Sequence, residues 1–320
     1  MENTLKKIDL GLYPTPLQEL SGMSELLGGG KRLFLKREDL CGIGLGGNKI
    51  RKLEYLLAEA LAQGCDCVVT GGGSQSNQTI AAAACANRAG LETHLIVPAS
   101  TGTVTRGIAE LLGAVLHEVD SSNDLQKGIR AVSTELRKQG RSPYIIPPGA
   151  STTLGVLGYV DAMRELYDQV EDLRLHVDHV VCCGGTGNTY AGVVLGTKLY
   201  SPSTTATVVS IGRRFCHTST LCEMVRKAET LMGCRSDVTE DDMHIHFCGG
   251  KGLGVPSPKG KTAMQYMAAK EGIFLDPAYT GKAFAGLLDL NQAGAFRDGE
   301  VIVFIHTGGT ATLFNHFSKN

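Results

Sequence analysis

A chain of 320 residues, 42% hydrophobic and 20% charged, has enough apolar material for one large or two modest cores, which excludes a disordered or low-complexity protein. Thirty-one basic against 32 acidic side chains leave a formal net charge of −1, so no basic surface for nucleic acid or an anionic membrane is implied and a small-molecule partner is expected. Forty-one glycines against 10 prolines favour backbone that turns tightly or comes close to a ligand.

In chain order, the first ten residues (MENTLKKIDL) lack an apolar segment followed by a small-residue cleavage site, and a cytoplasmic location is expected. Strand-like runs follow at 32–36, 67–70, 93–97, 115–118, 142–146, 179–183, 207–211 and 301–306, separated by segments of helical period such as 49–63 and 78–89. This is the alternation of an α/β protein. Continuous Val, Ile and Cys strands imply a mainly parallel sheet buried on both faces, with ligands at the carboxyl ends of strands. Cys85, Cys182 and Cys183 sit inside apolar runs, where a reduced thiol behaves as a small hydrophobe. Cys65-x-Cys67 has no second pair at zinc-ribbon spacing, and His244-x-His246 alternates with Met243, Ile245 and Phe247 as a strand would, so no metal site is expected. No apolar run approaches the ~20 residues of a membrane span.

Three glycine-rich loops carry the candidate chemistry. Gly44-Leu45-Gly46-Gly47-Asn48-Lys49 runs into a helix whose Ile50, Leu53, Leu56, Leu57, Ala60 and Leu61 repeat at helical spacing, with Asn48 as its expected cap. Lys49 and Lys52 share a second face, and Arg51 is expected in solvent. The positive end of the helix dipole and a neighbouring ammonium both disfavour charge on Lys49, and a neutral amine is what Schiff-base chemistry needs; an ordinary surface lysine is the competing reading. Gly71-Gly72-Gly73-Ser74-Gln75-Ser76-Asn77-Gln78 follows a strand and opens an Ala-rich helix. Its backbone N–H groups and its Ser, Asn and Gln side chains can hold a carboxylate, or can form a simple turn capped by Ser76 or Asn77. Cys183-Gly184-Gly185-Thr186-Gly187-Asn188-Thr189 also joins a strand to a helix. Its glycine spacing is wrong for a dinucleotide fingerprint and no acidic residue ends the next strand, which leaves a site for one phosphate monoester. One phosphate together with a Schiff-base lysine describes pyridoxal 5′-phosphate.

At this point the sequence resembles the fold-type II pyridoxal-phosphate enzymes of the group containing 1-aminocyclopropane-1-carboxylate (ACC) deaminase and D-cysteine desulfhydrase. The likeness runs from Thr15-Pro16-Leu17 and Leu35-Lys36-Arg37-Glu38-Asp39 through Gly46-Gly47-Asn48-Lys49, Gln75-Ser76-Asn77 and Thr186-Gly187-Asn188-Thr189. It continues to Asp276-Pro277-Ala278-Tyr279-Thr280-Gly281-Lys282 and His306-Thr307-Gly308-Gly309. The resemblance implies the tryptophan synthase β-like fold, with two open, twisted, mainly parallel sheets flanked by helices. It implies a large cofactor domain from 1–49 and 160–320, a smaller domain at 50–159 closing over the site, and a homodimer. Lys49 then matches the lysine that carries the cofactor, Lys52 the one beside the phosphate, and Asn77 the partner of the ring hydroxyl. Thr186, Gly187, Asn188 and Thr189 match the phosphate loop. Ser76, Asn77 and Gln78 match the loop receiving the substrate carboxylate, with Ser76 also assigned to catalysis, and Tyr279 matches a catalytic tyrosine.

Several positions depart from the deaminases. Thr280 and Thr307 stand where those enzymes have Glu and Leu, and a hydroxyl facing the pyridine nitrogen suits a gentler electron sink and prompt β-elimination. Leu253 replaces a second family tyrosine, and Thr79-Ile80 stand where Arg-Gln is usual. The expected reaction is β-elimination from a small amino acid, D-cysteine giving pyruvate, ammonia and hydrogen sulfide. The alternatives are L-cysteate sulfo-lyase releasing sulfite, in which Lys251 or Arg213 would meet the sulfonate, and other cysteine or serine eliminations. ACC ring opening is disfavoured.

Overall fold

A computed structural model of the chain describes residues 5–212, 217–252 and 254–317. In chain order the elements are β1 (Leu17–Glu19), α1 (Ser21–Leu27), β2 (Arg32–Lys36), α2 (Lys49–Ala62), β3 (Cys67–Gly71), α3 (Asn77–Arg88), β4 (Glu92–Pro98), α4 (Thr103–Leu111), β5 (Val115–Val119), α5 (Leu125–Lys138) and β6 (Pro143–Ile146). There follow α6 (Thr153–Asp172), β7 (His179–Gly184), α7 (Asn188–Tyr200), β8 (Thr205–Ser210), α8 (Thr218–Met232), β9 (His244–Phe247), α9 (Pro258–Glu271), α10 (Thr280–Gln292), β10 (Val301–Ile305) and α11 (Thr310–Phe317).

The strands form two sheets. One has the order β5-β4-β3-β6 and is wholly parallel. The other runs β1-β2-β10-β7-β8-β9 and is parallel except for β1, which pairs antiparallel with β2 at the edge. All eight expected strands are present; the three-residue β1 carries no hydrophobic period and was not expected. The interior strands β3, β7 and β10 are apolar at all but Thr70 and His179 because helices cover both faces, which removes the alternation of a half-exposed sheet.

Helix packing sets the distance between the loops. A Cβ at Gly158 of α6 would lie 2.5 Å from the Arg51 carbonyl of α2, and one at Gly192 of α7 would lie 2.4 Å from the Val156 carbonyl of α6. Bare glycine surfaces therefore let α6 touch α2 on one side and α7 on the other, and the start of α2 is fixed relative to the start of α7. Under this contact lies a buried ionic network. Arg51 Nε donates to Glu38 Oε2 at 2.6 Å, and Arg51 Nη2 donates to Glu38 Oε1 and to Glu165 Oε1, both at 2.9 Å. Lys36 completes it through Glu165, and Thr15 Oγ1 donates to Glu38. Arg51, expected in solvent, is thus buried: its guanidinium serves a carboxylate that has no water, and its face of α2 is closed by α6. None of the described cysteines forms a disulfide, and no helix among the described residues is long and apolar enough to cross a membrane.

Candidate active site

A cavity of about 590 Å³ opens where the carboxyl ends of β3 and β7 face the start of α2. Its wall includes Lys49, Lys52, Ser76, Asn77, Gln78, Thr186, Gly187, Thr189, Tyr279 and Thr307, so the three loops singled out in the sequence meet at one place.

Lys49 is the first residue of α2, and its Nζ donates to Asn48 Oδ1 at 3.0 Å. Burial pulls its pKa down to about 8. Lys52, one turn on, is held well below its ordinary value, first by burial and then by the charge of Lys49. Among the described residues no carboxylate pairs with either amine. Two desolvated cations facing one cavity call for an anion from outside the chain. Asn48 does not cap α2: its backbone is helical, and its side chain instead donates through Nδ2 to Thr189 Oγ1 at 2.8 Å. Lys49, Asn48 and Thr189 thereby form a hydrogen-bonded chain from the amine to the third loop, which reading Asn48 as a cap had missed.

That third loop turns at Gly187, with φ of +86°, into α7 without a side-chain cap. The Ala191 N–H bonds back to the Gly187 carbonyl, and the N–H groups of Asn188 and Thr189, in the first turn of α7, are the ones placed to meet an anion. Thr186 Oγ1 accepts from Ser151 at 2.6 Å, leaving its own proton free to point elsewhere. Asn188 belongs to this turn but is absent from the cavity wall: its Nδ2 donates to the Thr152 carbonyl at 2.9 Å, tying α7 to the start of α6. Its backbone N–H, not its side chain, is what it can offer a phosphate.

Ser76 caps α3, its oxygen accepting from the Gln78 N–H at 3.3 Å, and its hydroxyl proton remains to donate outward. Asn77 Oδ1 accepts from Thr312 Oγ1 of α11 at 3.2 Å, which leaves its NH2 group to donate. Gln78 lies on the wall, but its amide is committed: Nε2 donates to Thr70 Oγ1 at 2.8 Å and to the Pro147 carbonyl at 3.2 Å, while Oε1 accepts from Gly149 N–H. Its side chain therefore braces the 147–149 turn, and the expected substrate contact is left to its neighbours. Tyr279 reaches the wall from the start of α10, and burial raises its hydroxyl pKa so that it stays protonated.

Thr280 departs from expectation. It is buried away from the cavity, where its Oγ1 donates to Asp276 Oδ2 at 2.7 Å and accepts from Asp276 N–H at 2.8 Å. The buried Asp276 carboxylate also takes the N–H groups of Ala278, Tyr279 and Thr280, each at 2.8 Å, so the threonine serves the cap of α10. Thr307 alone of that pair lines the wall. Lys251 is exposed and off the wall, while Arg213 and Leu253 lie outside the described residues. Sequence reasoning did not single out Ser122 and Gln126, which reach the cavity from just before α5 and from its first turn, and it read Cys183, near the end of β7, as a buried hydrophobe and not as a wall residue. Only the position of Cys183 at a strand's carboxyl end could have signalled it.

The profile of the family described as "Pyridoxal-phosphate dependent enzyme" matches residues 8–308. A Serratia proteamaculans protein named D-cysteine desulfhydrase is 35% identical over 316 residues, 96% of this chain and 95% of that protein. A Pyrococcus abyssi protein provisionally named 1-aminocyclopropane-1-carboxylate deaminase is 37% identical over 316 residues, covering 97% and 93%. The solved structure described as an ACC deaminase homologue superposes with a TM-score of 0.90 at 34% identity, over 99% of this chain and 95% of that one. The chain belongs to the pyridoxal-phosphate dependent enzymes, and its cofactor is pyridoxal 5′-phosphate. Within them it falls in the group of lyases to which ACC deaminase and D-cysteine desulfhydrase belong.

The wall fits that cofactor. Two buried amines without counter-ions and the open start of α7 suit a phosphate, and the depressed pKa of Lys49 suits bonding to an aldehyde.

Proposed function

We propose that the enzyme removes the Cβ substituent of a small amino acid, with D-cysteine as substrate and pyruvate, ammonia and hydrogen sulfide as products. The observation that carries this reading is that the described cavity wall contains no Asp or Glu. Pyridoxal phosphate supplies an electron-withdrawing ring that acidifies the Cα–H bond, and without a carboxylate to keep the pyridine nitrogen protonated its pull is moderate. Moderate withdrawal is enough where a good leaving group departs from Cβ as the proton is lost. Opening the cyclopropane of ACC breaks a C–C bond with no heteroatom leaving group on Cβ, which asks more of the ring even with strain released, and ACC is the less suited substrate.

The chain's own groups divide the remaining work. The Ser76 hydroxyl and the amides at the start of α3 bind the substrate carboxylate, and Asn77 donates to the ring hydroxyl, which together hold Cα in one orientation. The amine of Lys49, half deprotonated near pH 8 and neutral above it, takes the Cα proton. Tyr279, kept protonated by burial, gives a proton to the departing sulfur. Lys52 and the 184–189 turn are committed to phosphate, so no further cation on the described wall is left for a sulfonate; this favours cysteine over cysteate. We read segment 50–159, which carries the four-stranded sheet, as the part that closes over the substrate.

Product analysis of the cofactor-loaded enzyme tests the reading. D-cysteine should yield equimolar pyruvate and sulfide, and Lys49→Ala should lose both the visible absorbance and at least ~10³-fold in turnover. Sulfite from cysteate or 2-oxobutyrate from ACC as the faster product would overturn it.

A further inference from the structure

A further buried lysine lies off the cavity wall and takes no part in the chemistry above. Lys282, in the first turn of α10, is fully buried, and its Nζ donates to the backbone carbonyls of Gly249 and Gly252 at 2.8 and 2.6 Å. Among the described residues it has no carboxylate partner, and burial depresses its pKa. Desolvating an ammonium to satisfy two neutral carbonyls is costly, and an apolar residue of similar volume would fill the space at lower cost. The fold nevertheless makes room for it. A Cβ at Gly260 of α9 would lie 3.3 Å from Lys282 Cγ, so the lysine stem passes over a helix surface without a side chain.

The segment it grips is glycine-rich and irregular. Gly250, Gly252 and Gly254 have φ of +57°, +138° and +75°, and the described residues between β9 and α9 belong to no helix or strand. Yet Gly254 and Val255 form part of the cavity wall, and a Cβ at Gly254 would come within 3.9 Å of Gln75, next to the Ser76-Asn77 turn. This segment therefore adjoins the 74–77 turn where both line the cavity. Lys282 itself is not on the wall.

We propose that Lys282 is a positioning residue for substrate: by clamping the Gly249 and Gly252 carbonyls it fixes the part of the wall beside the 74–77 turn, and so sets the fit of the amino acid while leaving cofactor binding alone. The inference rests on the amino-acid lyase reading for its substrate class, but not on which amino acid reacts. Its experiment uses the holoenzyme and its Lys282→Met and Lys282→Arg variants. Steady-state kinetics are measured with whichever amino acid the native enzyme turns over, and binding is followed through the change in visible absorbance on adding that amino acid. Lys282→Met should keep the visible band and the unfolding midpoint while KM rises roughly 10-fold or more, the loss expected for a buried charge-assisted clamp. Lys282→Arg, which can still donate to carbonyls, should recover part of the loss. Should Lys282→Met fold poorly, Gly252→Ala, which strains the same segment with the lysine intact, should raise KM in the same way. An unchanged KM in folded Lys282→Met, or loss of the visible band with KM unaltered, would overturn the proposal. Failure of D-cysteine as substrate would leave these comparisons measurable with another amino acid, so the two ideas fail separately.

Discussion

Lys49 and Lys52 show how a residue's surroundings, more than its type, decide its chemistry. Both are lysines on an amphipathic helix, yet burial without a counter-ion leaves one with a pKa of about 8 and holds the other well below its ordinary value. The threonines make the same point in the opposite direction. Thr280 and Thr307 were expected to act together at the pyridine nitrogen, but the Asp276 carboxylate claims Thr280 for the start of α10. Thr280→Val should therefore cost about 1–3 kcal/mol of stability, measured by urea unfolding, with the visible spectrum and substrate preference unchanged. Thr307→Val should do the reverse, shifting the visible band or kcat with little change in stability. A spectral change from Thr280→Val would return that residue to the site.

At the scale of elements, two of the three site loops, those after β3 and β7, join a strand end directly to a helix start, and the turns work because their glycines leave room for a functional neighbour. Gly72 is the tightest case on the wall: a Cβ there would lie 2.3 Å from Ser76 Oγ and 2.4 Å from Ser76 Cβ. The backbone at Ser76 is held by a bond from its N–H to the Gly73 carbonyl at 2.8 Å, so the clash cannot be relieved by rotating one side chain. Gly72→Ala should raise KM for the amino acid at least ~10-fold, about 1.4 kcal/mol of lost binding, while the enzyme stays folded. Kinetics at saturating cofactor check it; an unchanged KM would mean that Ser76 does not hold the carboxylate. α11 links two parts of the molecule in a comparable way. Thr312 reaches Asn77, and one turn on Asn315 Nδ2 donates to Thr105 Oγ1 of α4 at 2.6 Å, so the last described helix, after β10 in the larger sheet, supports the turn after β3 in the smaller.

For the molecule as a whole, the Arg51, Glu38, Glu165 and Lys36 network is the deepest polar feature, and it sits directly behind the helix that carries both site lysines. Removing one partner strands a buried charge. Arg51→Met should lower unfolding stability by about 3–5 kcal/mol. Arg141→Met, which breaks the exposed pairs with Asp66 and Glu92, should cost no more than about 1 kcal/mol. Urea titration of both variants checks the contrast, and equal losses would show that burial of the network is not what sets its worth.

The sequence by itself determined the α/β class, eight of the ten strands from composition alone, and the three loops that build the cavity, because strands buried on both faces and glycine-rich strand-to-helix turns leave local signatures. It also supplied the family, since the motifs around Lys49, Asn77, Thr186 and Tyr279 are contiguous in the chain. Only the tertiary structure decided which side chains face the cavity. Arg51 turned inward because Glu38, 13 residues earlier, is buried beneath α2. Asn48 gave up its cap for Thr189, 141 residues away, and Gln78 was drawn to a turn 71 residues on. Lys282 gained a role only when the 249–252 carbonyls folded over it. Each of these is a hydrogen-bonding demand made by a distant backbone or charge, and no local pattern of residues encodes where such a partner will arrive.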